Sequence, residues 1–293
     1  MDPMTRIAQA LNAALQSAEA SGCPPRLAAA VRHAVIPGGA RIRPQLCLAV
    51  AQAHGDDDPA LADAAAASIE LLHCASLVHD DLPCFDDAAV RRGLSSVHCA
   101  FGERLAVLAG DALIVMAFQV LGEAGGRHPQ RLARVLGTVA RGVGMPLGIV
   151  AGQAWECEPR VALQDYQRAK TGALFAAATM VGADAAGADA QPWRALGELL
   201  GEAYQVADDI RDVVADPAQL GKPTGQDLSL GRPSSTIEHG LSGAVRYFQR
   251  LVDRAVDSIP RCPREAQFRA LVRYEAERLV PAALCSDLIR VAA

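Results

Sequence analysis

The chain has 293 residues, enough to bury a sizeable core, and its 33 acidic against 28 basic residues leave a net charge of −5. That balance excludes the basic face of a bulk nucleic-acid binder. No secretory leader is visible at Met1-Asp2-Pro3-Met4, and the most apolar run, Leu105 to Leu121, carries Asp111 in its middle. No uninterrupted apolar stretch therefore reaches the ~18 residues of a membrane span, and the expectation is a soluble, cytoplasmic protein with no transmembrane segment.

Richness in Ala, Leu, Arg and Glu, few aromatics and no sustained period-2 alternation predict helices almost throughout. In chain order the expected helices are Thr5–Ala20, Pro25–Val35, Arg43–His54, Pro59–Asp81, Ala100–Ala124, Pro129–Cys157, Leu163–Val181, Pro192–Val214, Gly243–Ser258 and Arg264–Val280. Prolines 25, 59, 129 and 192 stand near the predicted starts, where a missing N–H is harmless. Ile36-Pro37-Gly38-Gly39 and the stretch from Gly221 to Pro233 read as loops. No linker composition interrupts the chain, so a single domain over residues 1–293 is expected.

Eight cysteines are scattered without a CxxC pair, which gives neither a zinc cage nor a disulfide framework. Lysine usage is more telling. Only Lys170 and Lys222 occur, each beside motif residues, in Lys170-Thr171-Gly172 and Gly221-Lys222. A compact ammonium suits a phosphate oxygen where a planar guanidinium does not fit.

Two acidic clusters stand at the ends of apolar segments: Asp80-Asp81-Leu82-Pro83-Cys84-Phe85-Asp86 and Asp208-Asp209-Ile210-Arg211-Asp212. At ~100° per residue, Asp208, Asp209 and Asp212 share one face of a helix, where they repel unless a cation sits between them. On an uninterrupted helix Asp86 faces away from Asp80, but Pro83 disturbs the turn and can swing Asp86 back. Asp87 is a further candidate if the helix continues. Asp56-Asp57-Asp58 reads as a solvated loop and helix cap. Few oxygen ligands per ion, with room for substrate oxygens, is the pattern of Mg²⁺ bound together with phosphates. Arg41, Arg43, Arg91, Arg92, Lys170, Thr171, Gln205 and Lys222 supply cations and hydrogen bonds for a diphosphate. No GxxxxGK[ST] loop and no strand-to-helix GxGxxG is present.

Gly38-Gly39-Ala40-Arg41-Ile42-Arg43-Pro44, the first acidic motif followed by Arg91-Arg92-Gly93, then Lys170-Thr171-Gly172, Gln205-Val206-Ala207-Asp208-Asp209 and Gly221-Lys222 stand in the order found in trans-isoprenyl diphosphate synthases. Over residues 30 to 280 the chain resembles that family, most of all the bacterial geranylgeranyl diphosphate synthases of carotenoid and bacteriochlorophyll pathways. The resemblance implies an all-α bundle of about ten core helices around a deep central cavity, usually as a homodimer. It implies head-to-tail transfer from an allylic diphosphate (dimethylallyl, geranyl or farnesyl) to isopentenyl diphosphate.

Carried over position by position, Asp80, Asp81, Asp86, Asp208, Asp209 and Asp212 serve three Mg²⁺. Arg91, Lys170 and Lys222 hold the allylic diphosphate, while Arg43, His73 and Arg92 hold isopentenyl diphosphate. Lys170, Thr171 and Gln205 face the allylic cation. On an apolar helix alone, His73 reads as a core histidine; the family match assigns it to substrate. His79 and His98 read as structural.

Ala75 and Ser76 lie about one turn below Asp80 and leave a passage for the growing chain. Leu72 and Phe118 are candidates for its floor, and a C20 product is expected, with a C15 farnesyl diphosphate synthase as the alternative. A class I terpene cyclase would not need Arg43, His73 and Arg92. A regulatory subunit would carry eroded acidic motifs. Ala40, Leu94 and Arg232 stand where the family often has Lys, and Ala88 and Ala89 replace acids common after the first motif. The loss of a cation at position 40 is expected to weaken the grip on isopentenyl diphosphate unless Arg41 or another base substitutes.

Overall fold

The computed structural model describes residues 2–36, 38–160, 162–214 and 234–280. Helices dominate, as expected. α1 (Pro3–Ala18), α2 (Pro25–Val35), α3 (Ile42–Ala53) and α4 (Pro59–Asp80) follow one another with short connections. Each of α1, α2 and α4 starts with proline in its first turn. Asp2 and Asp58 accept the N–H groups of Thr5 and Leu61, at 3.1 and 3.3 Å, and so cap α1 and α4. The predicted limits of α2 are met and those of α4 hold to one residue.

Three predicted helices are broken. The segment expected as Ala100–Ala124 is α5 (Val97–Phe101) and α6 (Glu103–Ala124), separated at Gly102 with φ +90°. The segment expected as Pro129–Cys157 is α7 (Pro129–Val143), a turn through Gly144 to Gly148, α8 (Ile149–Ala154) and a 3₁₀ turn at Trp155–Cys157. The segment expected as Leu163–Val181 is α9 (Leu163–Gln167), a π turn at Arg168–Gly172, and α10 (Ala173–Ala185). In that π turn the Ala173 N–H reaches the Arg168 carbonyl, five residues back. α11 (Arg194–Val214), α12 (Ser235–Asp257) and α13 (Glu265–Leu279) complete the described helices. α12 begins eight residues before its predicted start and bends at Gly240, whose φ is +65°.

One short antiparallel hairpin, unforeseen in the sequence, pairs β1 (Val90–Arg91) with β2 (Leu94–Ser95). Its two-residue turn, Arg92-Gly93, has φ +54° and +77°, as hairpin turns of this length demand. Glycine meets that demand freely, and arginine does so at some cost.

The largest apolar core gathers residues of α1 to α7 and α10, among them Leu48, Leu61, Ile69, Leu71, Leu72, Leu113, Leu121 and Leu174. α4 lies at its centre, and its long Ala-rich run lets neighbouring helices come close. α4 and α6 are long and apolar enough to cross a membrane by length and composition, and most of α4 is buried inside the protein. The seven described cysteines are free.

Candidate functional site

The first acidic motif sits where α4 ends. Asp81 caps the helix, and the chain then turns through Pro83 so that the Asp86 N–H donates to the Asp80 carbonyl at 3.0 Å. Asp86 therefore returns to Asp80, as the spacing allowed, although the helix stops instead of kinking. Carboxylate oxygens of Asp80, Asp86 and Glu156 lie within 4.8 Å of one another. Glu156 comes from the 3₁₀ turn after α8, and Tyr166 donates to it from α9.

Lys170 is the cation inside this group, its Nζ 3.3 Å from Asp80 Oδ1 and 2.6 Å from Glu156 Oε1. Burial works against its charge, but Asp80, Tyr166 and Glu156 outweigh that and raise its pKa above the ordinary lysine value. Burial pushes the Asp80 carboxyl up, Lys170 pulls it down, and Asp86 and Glu156 push it up again. One ammonium among three carboxylates leaves an excess of negative charge on hard oxygen donors. The residues present thus fit Mg²⁺.

Asp81 has a different partner. Arg91 on β1 donates to it through Nε, at 2.9 and 3.2 Å, and through Nη2. Burial raises the Asp81 pKa despite this partner. The hairpin thus fixes Arg91 on the first motif while its turn carries Arg92 to the other side.

Lys170 and Thr171 face opposite acidic motifs. Thr171 Oγ1 donates to Gln205 Oε1 at 3.2 Å, and Gln205 Nε2 donates to Asp209 Oδ1 at 3.1 Å. Asp209 is buried, and its Oδ2 accepts the Ser235 N–H at 2.7 Å, at the first residue of α12. It serves the positive end of that helix, although burial raises its pKa. Asp208 is half-buried, paired with Arg211 at 2.9 Å, and Asp212 is likewise half-buried. The π turn that displays Lys170 and Thr171 packs on α8 at Gly152. A Cβ there would come within 2.3 Å of the Lys170 backbone, so only glycine allows the approach.

A second group of cations gathers around Glu70, which is 2 % exposed on α4. Arg41 is bonded to it, and Arg92 Nη2 lies 3.7 Å from the same oxygen. Beside them Arg43 Nη1 is 3.3 Å from His73 Nε2. Arginine only donates, so His73 Nε2 accepts and its proton sits on Nδ1. Burial first, then Arg43 and the other arginines, holds the His73 pKa well below that of free histidine. Arg43 lies over the Phe175 ring at 4.4 Å, and burial lowers its pKa too.

Among the residues expected to set product length, Leu72 and Ala75 belong to the main core, 1 % and 2 % exposed. Ser76 is also buried, its carbonyl accepting from Gln153 at 2.9 Å. Phe118 is partly buried on α6 against the same core. His79 packs over Gly110, and His98 accepts or donates at Ser96 Oγ, 3.1 Å away. Lys222 and Arg232 lie outside the described residues.

Sequence reasoning missed Glu70, Gln153 and Glu156. Glu70 had a signal, an acid alone in an apolar run and three residues before His73. Glu156 had little, because the unbroken helix predicted around it made it one surface acid among several.

The chain matches Polyprenyl synthetase over residues 24–267. It belongs to that family. Geranylgeranyl diphosphate synthase of Cereibacter sphaeroides is 54 % identical over 94 % of this chain and 96 % of that protein. Geranylgeranyl diphosphate synthase of Rhodobacter capsulatus is 48 % identical over 94 % and 95 %. A Helicobacter pylori geranyltransferase, solved with magnesium and isoprenyl diphosphate, superposes with TM-score 0.78 at 27 % identity, covering 95 % of this chain and 98 % of that one. The all-α fold expected from the resemblance is thereby the fold of this family member.

Proposed function

We propose that this single-domain chain joins an allylic diphosphate head-to-tail to isopentenyl diphosphate, releases diphosphate, and makes mainly the C20 product geranylgeranyl diphosphate. The observation that carries the reading is the pair Lys170 and Thr171, adjacent residues that tie the first acidic motif to the second. The C20 product is supported by the two relatives of that name and by the small Ala75 and Ser76 below Asp80.

Lys170 and Arg91 hold the allylic diphosphate beside the first motif, with Lys222 as a third cation from outside the described residues. Thr171 gives its hydroxyl proton to Gln205, so the lone pairs of its oxygen are free to face the allylic cation. Arg43, His73 and Arg92 hold isopentenyl diphosphate, whose double bond attacks that cation. The allylic C–O bond breaks with its electrons on the leaving diphosphate. A new C–C bond forms, and the proton then lost from the adduct goes to the departing diphosphate. The apolar residues of α4 below Asp80 exclude water that would quench the cation.

Asp80, Asp86 and Glu156 on one side, with Asp208 and Asp212 on the other, would hold Mg²⁺, three ions by the family resemblance. Bound Mg²⁺ supplies positive charge to the leaving diphosphate. Asp81 and Asp209 are read as residues that orient Arg91 and the start of α12.

A homodimer is proposed across the outward face of α6. Val107, Leu108 and Val115 there are 43 %, 50 % and 65 % exposed and share one helical stripe, which a second copy would cover. Diphosphate release from farnesyl diphosphate, with and without isopentenyl diphosphate, tests the reaction class. Release that requires the second substrate is predicted; release from the allylic substrate alone belongs to a cyclase.

A further inference from the structure

Arg211 stands inside the second acidic motif, where its Nη2 donates to Asp208 Oδ1 at 2.9 Å and its Nε is left over. On α11, Tyr204, Asp208 and Arg211 follow at i, i+4 and i+7, so they form one stripe along the helix. The Arg211 guanidinium carbon lies 5.7 Å from the centre of the Tyr204 ring. Arg43, reaching over from α3, lies 5.7 Å from the centre of the same ring. Arg211 Nε and Arg43 Nε are both buried, and neither meets an acceptor among the described residues. His73 Nδ1, which carries the imidazole proton, is a third such atom.

Two guanidinium groups drawn to one aromatic ring repel each other, and buried donors without acceptors are costly. An anion with several oxygens relieves both. Arg211 and Arg43 each keep a buried Nε for it, whereas Arg41 and Arg92 share Glu70 and position 40 is alanine. We propose that Arg211 binds the diphosphate of isopentenyl diphosphate together with Arg43, supplying from α11 the cation that is missing at Ala40. Lys170 and Arg91 face the first acidic motif, whereas Arg211 shares the tyrosine that Arg43 uses, so the assignment is to the second substrate. It rests on the prenyl-transfer reading above.

The test is Arg211→Leu, which keeps an apolar stem beside Tyr204. The KM for isopentenyl diphosphate is expected to rise on the order of tenfold, with the KM for farnesyl diphosphate little changed. Calorimetric titration with isopentenyl diphosphate alone should show the same weakening. Ala40→Lys introduced into the Arg211→Leu variant should restore much of the affinity, which a merely structural defect would not allow. An unchanged KM and titration, or equal rises for both substrates, overturns the proposal while leaving the prenyl-transfer reading intact. A wild-type chain that forms no C–C bond overturns both.

Discussion

Lys170 Nζ lies 3.3 Å from Asp80 Oδ1, although 90 residues separate the two in sequence. The ion pair joins the end of α4 to the π turn before α10, and Glu156 Oε1 takes the same ammonium at 2.6 Å. Lysine is thus held at the first acidic motif, where the proposed reaction would place a diphosphate oxygen. Replacing Lys170 with Ala should lower kcat by two to three orders of magnitude, roughly the cost of removing one group that stabilises developing negative charge. Steady-state kinetics checks this, with circular dichroism showing whether the helical content is kept.

The Thr171–Gln205 pair predicts coupling. If Thr171 offers its oxygen to the cation only because Gln205 takes its proton, each single change, Thr171→Val and Gln205→Leu, should reduce kcat. The double variant should then lose less than the product of the two effects. Strictly multiplicative losses would separate the two residues.

Ala75 predicts a change of product without loss of chemistry. Ala75→Phe puts a bulky ring about one turn below Asp80 and should shift the main product from C20 to C15 while turnover persists. Overpacking there should cost about 1–3 kcal/mol of stability. Chromatography of the products and thermal unfolding measure the two effects separately.

His73 predicts a pH dependence of stability. Its folded pKa is depressed below the ordinary value of 6.5, by burial and by Arg43, Arg92, Arg41 and Arg91 facing it. The folded state therefore favours neutral imidazole, and the unfolded chain binds the proton more readily. Stability is kept above pH 6.5 and lost as pH falls below it. His73→Gln, neutral throughout, should flatten that decline in urea unfolding between pH 5 and 7. His54, also depressed by burial, stays in both proteins and cancels in the comparison. Parallel curves would contradict a buried neutral His73.

Much of this was legible in residue types and spacing. Prolines and caps marked α2 and α4 closely, and Pro83 announced that Asp86 could return to Asp80. The misses have a common cause. Gly144 to Gly148 breaks a helix that periodicity alone continues, and only that break delivers Glu156 to Asp80. The π turn at 168–172 exists because α8 and α11 pack against it, which no local pattern records. Asp209 shared a helical face with Asp208 as expected, yet its Oδ2 also accepts the N–H of Ser235, 26 residues later at the start of α12, which no local pattern records. Local pattern shows which groups are available; tertiary contact assigns them partners.

The reaction expected of this chain is carbon–carbon bond formation to a C20 diphosphate. Purified chain with Mg²⁺, farnesyl diphosphate and labelled isopentenyl diphosphate, followed by chromatography of the dephosphorylated products, tests it most directly. The prediction is label in geranylgeraniol, lost when Asp80 or Asp208 is changed to Asn. No labelled prenyl alcohol, or label mainly in longer chains, would contradict it.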